Sequence, residues 1–218
     1  MTTTEAVLAE RVPTLREELV HSLTHGLGAA LGVAGTAVLA VETAVGGDPW
    51  RIVSASVYGA SIVLLFMASA LYHAFSATRA RRVFQILDHA AIFLLVAGTY
   101  TPFTLVTLRG PWGWTLFGIV WGLAVFGIVF ESLFLGRWPR VSTGLYLLMG
   151  WIGALAIVPM WGVFPMAGWA WLVAGGLAYT GGVVFFARDR AWDHAWWHAF
   201  VLVGALCHFV AVRGYVVG

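Results

Sequence analysis

Long apolar stretches separated by short polar breaks organise almost the whole chain. A membrane-crossing helix needs roughly 20 apolar residues at about 1.5 Å each. Seven stretches meet that length: about Val20–Ala44, Ile52–Phe75, Ile86–Leu108, Gly113–Leu135, Thr143–Trp161, Ala167–Phe186 and Ala195–Val217. The breaks carry turn formers, as in GGDP (Gly46–Pro49), RGP (Arg109–Pro111) and GRWPR (Gly136–Arg140). None is long enough to hold a soluble domain. The pattern predicts an all-α integral membrane bundle of seven transmembrane helices over residues 20–218. Residues 1–19 read as a polar cytoplasmic tail, partly amphipathic, without the short apolar core and small-residue cleavage site of a signal peptide. Gly118 and Gly122 recur at helix-contact spacing and are expected to let neighbouring backbones approach. No internal repeat supports an inverted-repeat transporter.

Composition agrees with this pattern and excludes several functions. The 218 residues are 61% hydrophobic and only 10% charged, and the mean hydropathy is +0.88. A soluble domain of this size needs more polar surface. The net charge of +2 comes without any basic run interleaved with aromatics, so no nucleic-acid partner is expected. The single cysteine, Cys207, excludes an internal disulfide and CxxC chemistry. All 12 basic residues are arginine, which removes Schiff-base chemistry with retinal or pyridoxal phosphate.

The arginines also orient the bundle. With the amino terminus inside, Arg11, Arg16, Arg79, Arg81, Arg82, Arg137, Arg140, Arg188 and Arg190 fall on one side, and Arg51, Arg109 and Arg213 on the other. The positive-inside rule then predicts a cytoplasmic amino terminus and an external carboxyl terminus.

Polar groups within a bilayer are costly, so their placement is informative. Ser69 and His73 lie near the end of the second span, Asp88 and His89 near the start of the third, and His194 and His198 open the seventh. His21 and His25 open the first span, and Glu131 lies late in the fourth. In the inferred topology all of these share the cytoplasmic half. His73 and Asp88 lie ~9 Å inside their flanking arginines at the helical rise, and His198 ~12 Å. His194 and His198 are i,i+4 on one helical face, a spacing that lets two imidazoles share one ion. With His73 they make a three-nitrogen Zn²⁺ site whose fourth position stays open, as in catalytic zinc. Asp88 would then act on a water there, as proton acceptor or through a hydrogen bond. The plainer alternative makes His194 and His198 an interfacial anchor beside Trp196 and Trp197, His73 a bundle histidine and Asp88 a partner of Arg82. His21 and His25 form a rival i,i+4 pair at the same depth, or simply the polar start of a helix beside Glu17 and Glu18. His89 points about 100° away from Asp88, and His208 lies ~15 Å deeper than His198, outside the predicted site.

The segments EELVHSLTHGLGA (Glu17–Ala29), SALYHAF (Ser69–Phe75), LDHAAIFLLVAGTYTPF (Leu87–Phe103), GLYLLMGW (Gly144–Trp151) and HAWWHAFVLVGALCHF (His194–Phe209) carry a resemblance. The chain resembles the bacterial hemolysin III family, within the progestin and adiponectin receptor superfamily of seven-helix membrane proteins. The resemblance covers essentially everything after the tail. It implies zinc held by a histidine late in helix 2 and two early in helix 7, matching His73, His194 and His198. It also implies roles for a serine and an aspartate that match Ser69 and Asp88. The superfamily is related to alkaline ceramidases, which use zinc to hydrolyse a lipid amide. Where bacterial relatives usually carry asparagine in helix 1, this chain has His21.

Residues and resemblance together lead to the expectation of a zinc-dependent intramembrane hydrolase of a lipid amide or ester, with membrane lipids as partners. Asp88 would serve as general base and then acid, and Ser69 would steady the water or the developing oxyanion. The alternatives are a non-catalytic sensor of membrane state in which zinc staples helices 2 and 7, a pore-forming lysin, and a bis-histidine haem protein. The substrate and the oligomeric state are not encoded legibly.

Overall fold

The computed structural model describes residues 12–76, 78–188 and 190–218. Most of the expected tail, with Arg11, lies outside them. Among the described residues regular structure is helical, apart from one isolated bridge between Trp161 and Phe164. Seven helices are long and apolar enough to cross a membrane: α1 (Leu15–Gly46), α2 (Pro49–Ala74), α3 (Arg81–Thr107), α4 (Pro111–Phe134), α5 (Pro139–Met160), α6 (Met166–Arg188) and α7 (Asp193–Val217).

The helix starts follow local chemistry. Thr14 caps α1 in a reciprocal box: its hydroxyl accepts from the Glu17 N–H, and the Glu17 carboxylate accepts from the Thr14 N–H. This cap starts α1 five residues before the apolar run, so Leu15–Leu19 form its first turn. Asp48 caps α2 ahead of Pro49, and Pro111 and Pro139 occupy the first turns of α4 and α5. There a missing N–H costs nothing. Three spans are irregular. After Pro102, α3 continues as a π-turn over Phe103–Thr107, α5 tightens to a 3-10 segment over Ile152–Ala156, and α7 ends in a π-turn over Arg213–Val217.

Close neighbours are α1 with α2, α2 with α3, α3 with α4, and α6 with α7, while α7 returns against α1. Helix α5 bridges lightly between α3, α4 and α6. The result is a ring around a central space, with an apolar core formed by α1, α2, α3 and α7 and a second core around Phe93, Val120 and Met149. Glycines that permit close packing include Gly98, against Ser61, and Gly127, against the Phe93 ring. Gly118 and Gly122, expected in that role, have open space where a side chain would project. Their four-residue spacing marks one face of a helix, but it does not say whether that face meets protein or lipid.

Candidate metal centre

Five of the seven histidines meet at one end of the ring. The His21 ring centroid lies 4.9 Å from that of His73, 4.8 Å from His194 and 5.3 Å from His198. His25 stacks on His198 with centroids 3.5 Å apart. This end holds the start of α1, the end of α2 and the start of α7, so residues far apart in sequence are brought together by tertiary packing.

Within the group, nitrogens of His21, His73 and His194 all lie within 4.8 Å of one another, one imidazole from each of α1, α2 and α7. This set could hold a metal ion. His73 Nε2 and His194 Nε2 are 3.2 Å apart. Two ligands at 2.0–2.1 Å from one tetrahedral ion stand about 3.3 Å from each other, so this pair is spaced as two ligands of a shared ion would be. The far side of His73 supports the same reading. Its Nδ1 lies 2.6 Å from Glu18 Oε2, and both side chains are almost fully buried. A carboxylate there holds the proton on Nδ1, which leaves the Nε2 lone pair facing the cluster. Glu18 Oε2 also lies 4.0 Å from His21 Nδ1.

His198, which the sequence placed in the shell, stands beside the three. Its Nδ1–H points to the His21 carbonyl at 3.2 Å, with the Thr24 hydroxyl at the same distance. Its ring centroid is 4.6 Å from that of His194 and 5.0 Å from that of His73.

Ser69 and Asp88 share a cavity with His73, His194 and His198. Ser69, His73 and His89 all stand near enough to the Asp88 carboxylate to interact with it electrostatically. The cavity measures about 1390 Å³ and reaches past Leu95 and Phe103 to Leu108 and Met160 towards the opposite end of the bundle. Its deep walls are mostly apolar. His89 faces away from the histidine cluster towards α4, where its Nδ1 lies 3.7 Å from the buried Glu131. The Tyr146 hydroxyl donates to the same carboxylate at 3.3 Å. His208 sits deeper and donates to the Leu172 carbonyl.

The reading of the sequence did not find roles for Glu17 and Glu18. Both are buried. Glu17 Oε1 accepts from the N–H of Trp192 at 3.0 Å, where Trp192 adopts a left-handed φ of 66°. That conformation is unfavourable for a bulky residue, and the glutamate of α1 thereby shapes the turn into α7. A signal was present: Glu18, His21 and His25 fall at i, i+3 and i+7 on one face of α1.

The comparisons with known proteins agree with this architecture. A family model described as "Haemolysin-III related" matches residues 14–209. The chain belongs to the haemolysin-III-related family. It is 42% identical to "Hemolysin-3" of Bacillus cereus over 203 residues, covering 93% of each chain. It is 40% identical to "Hemolysin-3 homolog" of Bacillus subtilis (strain 168), covering 94% of this chain and 96% of the relative. A more distant relative, the human "Monocyte to macrophage differentiation factor", is 28% identical over 94% of this chain and 86% of its own. With these relatives and its seven spans, the chain is a multi-pass membrane protein of this family.

Proposed function

We propose that this protein is a zinc-dependent hydrolase of a lipid acyl linkage, an amide or ester, in the bacterial cytoplasmic membrane. The single observation that carries the reading is the shared cavity. It brings His73 and His194 of the imidazole cluster, together with Asp88, Ser69 and a long, mostly apolar chamber, into one space, and His21 packs against these two histidines.

His21, His73 and His194 would hold the ion, with Glu18 fixing the tautomer of His73. When bound, zinc in such a shell polarises a carbonyl and makes water a better nucleophile. Asp88 is placed to take a proton from the attacking water. It then returns that proton to the leaving nitrogen or oxygen as the bond to the acyl carbon breaks. The Ser69 hydroxyl, close to the Asp88 carboxylate, would steady it. The apolar chamber takes the acyl chain and keeps bulk water from it. The orientation predicted by the arginines puts this chemistry on the cytoplasmic side, near the depth of lipid carbonyl linkages.

The test is fatty-acid release from N-acyl and O-acyl lipids by purified, zinc-loaded protein in nanodiscs. Release that disappears in Asp88→Asn, while that variant keeps its metal, supports the reading. No release from either lipid class, or unchanged release by Asp88→Asn, overturns it.

One observation favours a second reading. His198 stands close enough to supply a fourth imidazole, and its Nδ1–H is directed at a carbonyl, which leaves Nε2 available. A shell closed by four imidazoles would staple α1, α2 and α7 without catalysis. A cobalt-substituted protein whose visible spectrum ignores added anions and hydroxamates would support the staple; spectral shifts on adding them support an open position. The relatives' names raise a cytolytic role as a third reading, which addition of the purified protein to erythrocytes tests directly.

A further inference from the structure

The mouth of the cavity differs sharply from its interior. Arg82, Arg137 and Arg140 line it together with Tyr72, Gln85 and Arg81. Arg81 is engaged: it donates to the Ser76 carbonyl and the Tyr72 hydroxyl and lies 3.8 Å from the Glu18 carboxylate. The other three are exposed, and among the described residues no carboxylate forms an ion pair with any of them. Elsewhere Arg188 is paired with Asp193 and Arg213 with Glu42. Arginines that served only to orient the helices would have no reason to line the cavity. The start of α5, between Arg137 and Arg140, adds the positive end of a helix to the same rim.

Deeper in, the lining changes character. Asp88 lies six residues beyond Arg82 on α3, a rise of ~9 Å. A short linker such as a glycerol backbone spans that distance. Beyond it the walls are mostly apolar, with Leu95, Phe103, Leu108, Leu116 and Met160 among them and Thr99, Thr104 and Tyr179 as polar interruptions. Asp88 to Thr107 spans 19 residues along α3, or ~29 Å, which is long enough for an extended fatty chain. Gly176 on α6 also lines this space, and nothing lies within 4 Å of the position a side chain would take there.

We infer that the cavity binds an anionic amphiphile, with a phosphate or carboxylate headgroup held by Arg82, Arg137 and Arg140 and a single long chain lying in the apolar chamber. Guanidinium groups match both anions through paired N–H donors. The inference deepens the hydrolase reading by naming its substrate class, yet its test involves no hydrolysis, so either can fail alone.

The probe is a brominated hexadecyl phosphate, which has no acyl bond to cut, titrated into the full-length protein in zwitterionic nanodiscs. Bromine on the chain quenches Trp151, Trp169 and Trp197, which line the cavity. Binding at least about tenfold tighter than the matching hexadecyl glycerol ether is expected, and added salt should erase that difference. Arg137→Ala with Arg140→Ala should remove most of the preference and leave ether binding unchanged. Gly176→Phe should weaken the hexadecyl phosphate and spare the octyl phosphate. Equal affinity for phosphate and ether, or indifference to the two arginine substitutions, overturns the headgroup site. Inorganic phosphate displacing an octyl phosphate and a hexadecyl phosphate equally well would show a bare anion site and overturn the amphiphile. Loss of fatty-acid release without loss of probe binding counts only against the hydrolase reading.

Discussion

Both ends of the ring tie α1 to its neighbours with charged or polar side chains, but in opposite environments. At the far end Arg213 grips the Glu42 carboxylate with contacts down to 2.6 Å, and the two side chains are 50% and 33% exposed. At the histidine end the Glu18–His73 contact is equally short, with side chains 7% and 3% exposed. Distance does not separate the two pairs; water does. An exposed pair gives up solvent contacts nearly as favourable as those it gains. A buried pair has no such substitute, and removing one member strands the other. The exposed pair borders an open pocket of about 870 Å³, whereas the buried one backs a cluster of imidazoles.

Substitutions along this contrast should grade accordingly. The largest effect belongs to the imidazoles: His21→Ala and His73→Ala should each lower zinc affinity by more than about 100-fold, above the range of supporting residues. Competition titration against a chelating dye reads this, and near-normal affinity in either variant would remove that histidine from the shell. Next comes Glu18→Ala, which touches no ion yet should weaken binding about 10–100-fold by releasing the His73 tautomer. An unchanged affinity would reduce Glu18 to a helix-start charge. His198→Ala should cost less than His21→Ala; the reverse order would restore the shell that the sequence pattern named. Glu42→Gln stands last, with no measurable change in metal affinity or melting temperature. A large loss there would break the comparison, because exposure would no longer explain it.

Much of the architecture was legible because lipid imposes a single rule, about 20 apolar residues per crossing, and the chain obeys it seven times. His73 and His194 were legible because two spans put them at one depth, and Asp88 and Ser69 because they stand on adjoining helices at that same depth. Glu17 and Glu18 were harder to interpret. Acidic residues in a first helical turn ordinarily answer the helix dipole, and nothing local reveals that α2 and α7 will cover them. His21 was obscured by the same ambiguity, since its partners lie 52 and 173 residues along the chain, counting from residue 21 to residues 73 and 194. The 3-10 segment of α5 and the contact-free faces of Gly118 and Gly122 depend on which helices are neighbours, and hydropathy does not record that.

The link from Glu17 to the Trp192 amide has a temporal consequence. A ribosome releases α1 first and α7 last, so the glutamate waits through the synthesis of every intervening span for the turn that it shapes. Until that turn arrives, His21 and His73 lack their third companion and the wall between α6 and α1 stands open to lipid. A cation held by all three imidazoles would therefore report that the final crossing has been made.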